Sequence, residues 1–125
     1  MAKTVLALGL DPVHADFSQM PNLTPQLVRA FLEAQLERVR GLGYTVESCL
    51  VDTGETAESV ARARLVEQAF DCVMFGAGLR AAPQLLLFER LINLVHELAP
   101  KSKICFNSTP ADTAEAVQRC VGAST

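Results

Sequence analysis

The sequence predicts a three-layer α/β sandwich: a four-stranded parallel sheet in the order 2-1-3-4, with two helices on each face, formed as a single domain over residues 1–125. Three observations predict it. Short apolar runs alternate with helical patterns along the whole chain, in the order βαβαβαβα, and such alternation implies a parallel sheet covered on both sides. The first run, Thr4 to Leu10 (TVLALGL), is apolar throughout, as in a strand buried on both faces. Right-handed crossovers then favour 2-1-3-4, placing the first helix on one face, the second and third on the other, and the fourth back on the first.

Each element has its own signals. After the first strand a polar loop runs to Asn22, and Thr24-Pro25 opens a helix as N-cap and first helical residue. Leu27, Val28, Phe31, Leu32, Leu36 and Val39 form its apolar stripe, and Gly41 and Gly43 end it. Tyr44 to Val51 is a second strand whose partial alternation suits a sheet edge. Asp52-Thr53-Gly54 turns into a helix over 56–70, with Ala57, Val60, Ala61, Leu65 and Ala69 inward. Asp71 to Phe75 is a third strand. Pro83 opens a third helix that Pro100 stops. Its apolar arc covers about half the cylinder, wider than the ~100° stripe one sheet face requires, and this width suggests a homodimer interface. Lys103 to Phe106 is the fourth strand, and Thr109-Pro110 with Asp112 forms a capping-box-like start for a last helix presenting Ala114, Val117 and Val121.

This order resembles the flavodoxin-like architecture shortened by one strand. The resemblance covers the whole chain at the level of architecture, so it implies a site location and no activity.

Composition narrows the function classes. Half the residues are apolar, which excludes a disordered chain. A net charge of −3, from 14 acidic and 11 basic residues, argues against a nucleic-acid partner and against anionic membrane surfaces. The apolar stretch Leu85 to Leu98 is broken by Glu89, Arg90, Asn93, His96 and Glu97, so no membrane span is expected. The amino-terminal run meets Asp11-Pro12 without a cleavage pattern and reads as a strand rather than a signal peptide. Cys49, Cys72, Cys105 and Cys120 show no C-x-x-C spacing. They are expected as reduced core residues, and the expected compartment is the cytoplasm.

In doubly wound sheets ligands bind outside the carboxyl ends of the strands, where strand order reverses. Here that is between strands one and three. The loop after strand one carries Asp11, His14, Asp16 and Ser18, and the loop after strand three carries Gly76, Gly78 and Arg80. Asn107 and Ser108 follow strand four. Gly76-Ala77-Gly78-Leu79-Arg80-Ala81 matches G-x-G-x-x-A, but its helix begins late and strand four ends in Asn107 instead of a ribose-binding acid. A T-G-x-T run at Thr53 to Thr56 matches part of the flavodoxin phosphate loop but follows the wrong strand, and the chain has one tyrosine and no tryptophan to stack on a flavin. Dinucleotide and flavin cofactors are therefore disfavoured. The glycine loop with Arg80 is read instead as an anion site. Asp11, His14 and Asp16 are possible oxygen and imidazole donors on an unpatterned loop, and no metal is assigned to them.

The leading expectation is a binding domain for a small anionic or phosphate-bearing ligand, lined by Asp11, His14, Gly76, Gly78, Arg80, Asn107 and Ser108. One alternative is a small hydrolase- or transferase-type enzyme with His14 or Asp11 as acid or base. Another is a homodimerising module without a ligand.

Overall fold

Four parallel strands, β1 (Thr4–Leu10), β2 (Thr45–Val51), β3 (Cys72–Phe75) and β4 (Lys103–Phe106), pair in the order β2-β1-β3-β4 in the computed structural model, which describes residues 2–124. Thr4 lies opposite Thr45, Val5 opposite Cys72, and Cys72 opposite Lys103. The four main helices are α1 (Pro25–Gly41), α2 (Ala57–Glu67), α3 (Leu85–Leu98) and α4 (Thr113–Val121). α1 packs beside α4 on one face of the sheet, and α2 beside α3 on the other. The expected topology, edge strand and distribution of helices are all observed.

The local starts and stops follow from the caps. Thr24 Oγ1 accepts from the Leu27 amide at 3.2 Å, with Pro25 at the head of α1. Gly43 follows the helix at φ +100°, a left-handed conformation that costs glycine little. Asp52 takes the amides of Gly54 and Thr56 at 3.0 and 3.1 Å and the Thr56 hydroxyl at 2.8 Å, tying the turn ahead of α2. Thr109 and Asp112 form a reciprocal capping box before α4.

Some boundaries and faces differ from expectation. α2 ends at Glu67 because Gln68 turns extended and sends Phe70 into the core. Two short 3-10 turns, Ala77–Arg80 and Ala82–Gln84, precede α3, so the long helix starts at Leu85. Val60 lies 37% exposed on the outer side of α2. Leu27 and Phe31 are 56% and 46% exposed, so the α1 stripe packs through its carboxyl half, at Leu36 and Val39. On α3, Leu87, Leu91, Leu94 and Val95 are buried, and Phe88, Ile92 and Leu98 pack against the same core. The wide arc is thus used within the chain, with Leu85 and Leu86 left outside it.

The sheet carries a core on each face. β1 sends Leu6, Leu8 and Leu10 toward α2 and α3, where they meet Val73, Phe75, Leu79 and Leu91. Phe75, Phe88 and Phe106 pack edge to face, with ring centres 5.4 to 6.3 Å apart. The opposite core holds Val5, Ala7, Val39, Tyr44, Cys72, Met74, Cys105 and Val117. The amino edge of the sheet is latched by the residues that follow α4. Ser124 Oγ donates to the Gly43 carbonyl at 2.7 Å and accepts from the Lys3 amide at 3.0 Å, while the Tyr44 hydroxyl donates to Gly122.

Candidate functional site

A strand alternates its side chains between the two faces of a sheet, so every second residue of β1 and β3 faces α1 and α4. On β1 those residues are Val5, Ala7 and Gly9, and on β3 with its extension they are Cys72, Met74 and Gly76. Their bulk runs out toward the carboxyl end. α1, which spans this end, does not close the gap: Val28 and Leu32 reach only partway in. The result is a cavity of about 200 Å³ between α1 and the sheet, at the point where strand order reverses. Ala7, Gly9, Gly76, Val28, Leu32 and Met74 form its walls, and Pro12, Ala15 and Phe17 from the loop after β1 also line it. None of the residues lining it carries a charge. Its polar groups are Ser48 on β2, Asn107 after β4 and Thr113 at the start of α4.

The glycines have separate reasons to be there. A Cβ on Gly78 would come within 3.3 Å of Leu10 Cβ, a tight approach between the turn after β3 and the end of β1. A Cβ on Gly76 would make ordinary contacts, 3.5 Å from the Leu8 carbonyl oxygen and 3.6 Å from Gly9 Cα, so glycine there keeps space open.

Of the residues expected at the site, Gly76, Gly78 and Asn107 line this cavity, and Asp11, His14, Arg80 and Ser108 do not. Arg80 departs most from the expected placement. Its guanidinium donates to the Phe75 carbonyl at 2.5 Å, to Asn107 Oδ1 at 3.1 Å and to the Asn107 carbonyl, and it lies over the Phe106 ring at 5.3 Å. It ties the carboxyl ends of β3 and β4 together instead of facing the loop after β1. Burial disfavours its charge and pulls its pKa down. Asn107, 3% exposed, completes the clasp by donating from Nδ2 to Thr113 Oγ1 at 3.1 Å.

The acids of the rim serve local structure. Asp11 accepts from the Val13 amide at 3.1 Å and pairs with Arg29 of α1. Asp16 accepts from the Ser18 amide at 2.9 Å, and this bond holds its carboxyl below the usual range. Asp112 binds the Ser108 hydroxyl and amide, and those bonds lower it likewise. His14 is exposed at the end of a short 3-10 turn, with its amide bonded to the Asp11 carbonyl at 2.9 Å. Among the described residues, Asp11, His14 and Asp16 do not form a metal-ligating group. The G-x-G run folds as a 3-10 turn, so these glycines do not place the first turn of a long helix over a phosphate.

The cavity lies at the end of the sheet where a site was expected, but most of its walls were not among the expected site residues. Ala7, Ser48, Met74, Val28 and Leu32 had been read only as strand and helix residues. A signal was available in the V-A-G series at alternate positions of β1, beside an unbroken leucine series on its other face.

Fold and cavity together define a doubly wound, four-stranded α/β domain with an uncharged pocket at its switch point. No known family model matches this chain, and no curated protein does.

Proposed function

We propose that the protein is a binding domain for a small, largely apolar molecule held in the cavity between α1 and the sheet. The observation that carries this reading is the position of an uncharged cavity at the switch point, where doubly wound sheets place their ligands. A cavity of about 150 Å³ lined by aliphatic side chains suffices for benzene. The volume here, about 200 Å³, suits a ligand of similar or slightly larger size. The polar handles are the Ser48 hydroxyl and the second Nδ2 hydrogen of Asn107, beyond the one given to Thr113. They would orient one hydroxyl or carbonyl group on an otherwise apolar ligand. This ligand chemistry differs from the anionic one expected of the sequence, and the engagement of Arg80 in the β3–β4 clasp supports the change. The lining offers no acid or base, which supports binding over catalysis.

Benzene, indole and hexanol are suitable probes, with inorganic phosphate as the competing arm. A probe present at about 100 times its Kd should raise Tm by roughly 10 °C for a domain this size. Its NMR shifts should concentrate on the methyl groups of Ala7, Val28, Leu32 and Met74. A response to phosphate alone, centred on Gly78 and Arg80, would restore the anionic reading and sink this one.

A further inference from the structure

Three of the four cysteines converge, although none are near neighbours in sequence. Cys72 on β3 and Cys105 on β4 both face α1 and α4. The register pairs Met74 with Cys105, so the two thiols are diagonal neighbours across the ladder. Their sulfurs lie 3.1 Å apart. Cys120, on the last turn of α4, packs on the same cluster. Its thiol donates to the carbonyl of Ile104, the residue before Cys105, at 3.8 Å.

Access to the three is graded. Cys72 and Cys105 are 0% and 2% exposed, whereas Cys120 is partly open to solvent. The bond to Cys72, and burial after it, hold the Cys105 thiol protonated. Burial and the neighbouring Cys105 push the Cys120 thiol up, and Arg119 and Lys103 beside it offset this only in part. Cys49 lies on the other face of the sheet and takes no part.

We propose that these three thiols form an oxidation relay that begins at Cys120 and ends as a disulfide between Cys72 and Cys105. The oxidant is a hydroperoxide. The Cys120 thiolate attacks the peroxide O–O bond, giving Cys120 sulfenic acid and releasing hydroxide (or alkoxide). The Cys105 sulfur then displaces the sulfenic oxygen, which leaves as water once it takes up the Cys105 proton, and a Cys105–Cys120 bond forms. Cys72 attacks Cys105 in turn, the new bond forms between their adjacent sulfurs, and Cys120 leaves with the proton of Cys72. The net change is loss of two hydrogens from the protein and reduction of one peroxide. The product staples the edge strand β4 to β3 directly below the Arg80–Asn107 clasp.

The test uses the full chain, folded, treated with a small excess of hydrogen peroxide and then denatured and alkylated without reduction. The mass before alkylation should fall by about two units, two thiols should escape alkylation, and peptide mapping should join Cys72 to Cys105. Cys120→Ser should form that link about tenfold more slowly or worse, because the remaining pair is buried. Cys105→Ala should leave a Cys120 sulfenic acid that dimedone traps. Circular dichroism of each variant confirms folding. The relay is overturned if all four thiols are still alkylated. It is equally overturned if Cys120 runs on to sulfinic acid without a link, if the link stops at Cys105–Cys120, or if Cys120→Ser links at the parent rate.

Discussion

The two faces of the sheet are built from the same strands but to different standards of packing. Toward α2 and α3, β1 presents Leu6, Leu8 and Leu10, and the space is filled by Phe75, Leu79 and Leu91, each fully buried. Toward α1 and α4, β1 presents Val5, Ala7 and Gly9, and the carboxyl half of that face is a cavity. Protein interiors are close-packed, and voids larger than a water molecule are few. Leaving one face unfilled forgoes dispersion contacts and apolar burial that a larger residue at position 7 or 76 would supply. The comparison teaches that one face is filled along the whole length of the strands, while the other is packed at its amino half and gives up some stability at its carboxyl half.

The largest expected effect lies on the filled face. Phe75→Ala should destabilise by about 3–5 kcal/mol, since it removes a fully buried ring that touches Phe88 and Phe106. Leu32→Ala at the cavity wall should cost only about 1–2 kcal/mol, because part of that side chain already faces empty space. Urea denaturation of the two variants measures the gap. Equal losses would mean that the faces are equally packed.

Arg80→Ala comes next and separates a clasp from an anion anchor. A clasp residue should cost about 2–3 kcal/mol, as two carbonyls and the buried Asn107 amide lose charge-assisted bonds. An anchor held ready for a ligand would be nearly neutral in the free protein and would matter only with phosphate present. Denaturation midpoints with and without phosphate decide between the two.

Gly76→Ala should have a smaller effect with the opposite sign. Its backbone sits at φ −70° and ψ 159°, open to any residue, and the new methyl would meet only ordinary contacts. A gain of about 0.5–1.5 kcal/mol is expected from lower unfolded-state entropy and methyl burial. Binding of benzene or indole should weaken at the same time. A variant that is more stable and binds these probes as before would detach the cavity from function.

The smallest effects are electrostatic and concern the aspartates in the turns that precede a helix on each face. Asp52 ahead of α2 and Asp112 ahead of α4 both have carboxyls held below the ordinary aspartate value of 3.8, the first chiefly by the Gly54 amide and the second chiefly by Ser108. A lowered folded pKa means that the charged form is favoured by folding. The stabilisation is therefore complete above the ordinary value and is lost as pH falls through the folded one. Asp52→Ala and Asp112→Ala should each be less stable than the parent at about pH 6, and the differences should shrink toward about pH 2. A difference that stays constant with pH would show that the carboxylate charge contributes nothing.

Much of this architecture was legible one residue at a time. Thr24-Pro25 and Thr109-Pro110 with Asp112 are local signals, because a cap is satisfied by amides within three residues of it. Strand order followed from element order and crossover handedness, and both need only the chain direction. The switch point was equally legible, so the cavity lies where a site was expected.

What fills that place was not legible, and the reason is physical. Polar residues gathered at the carboxyl rim look alike in sequence whether they await a ligand or serve the backbone. Asp11, Asp16, Asp52 and Asp112 turn out to be bonded to nearby amides and hydroxyls, and Arg80 to carbonyls that only strand pairing brings within reach. A void is harder still to read, since no single residue encodes it: the cavity exists because Ala7, Gly9 and Gly76 from two strands share a face and α1 bridges them at a distance. The sequence by itself determined the secondary elements, their caps, their order in the sheet and the end at which a site belongs, all of which rest on local periodicity and handedness. Only the tertiary structure decided the cavity, the Arg80 clasp and the meeting of Cys72, Cys105 and Cys120, because each is a distance between residues far apart in the chain, set by packing and register.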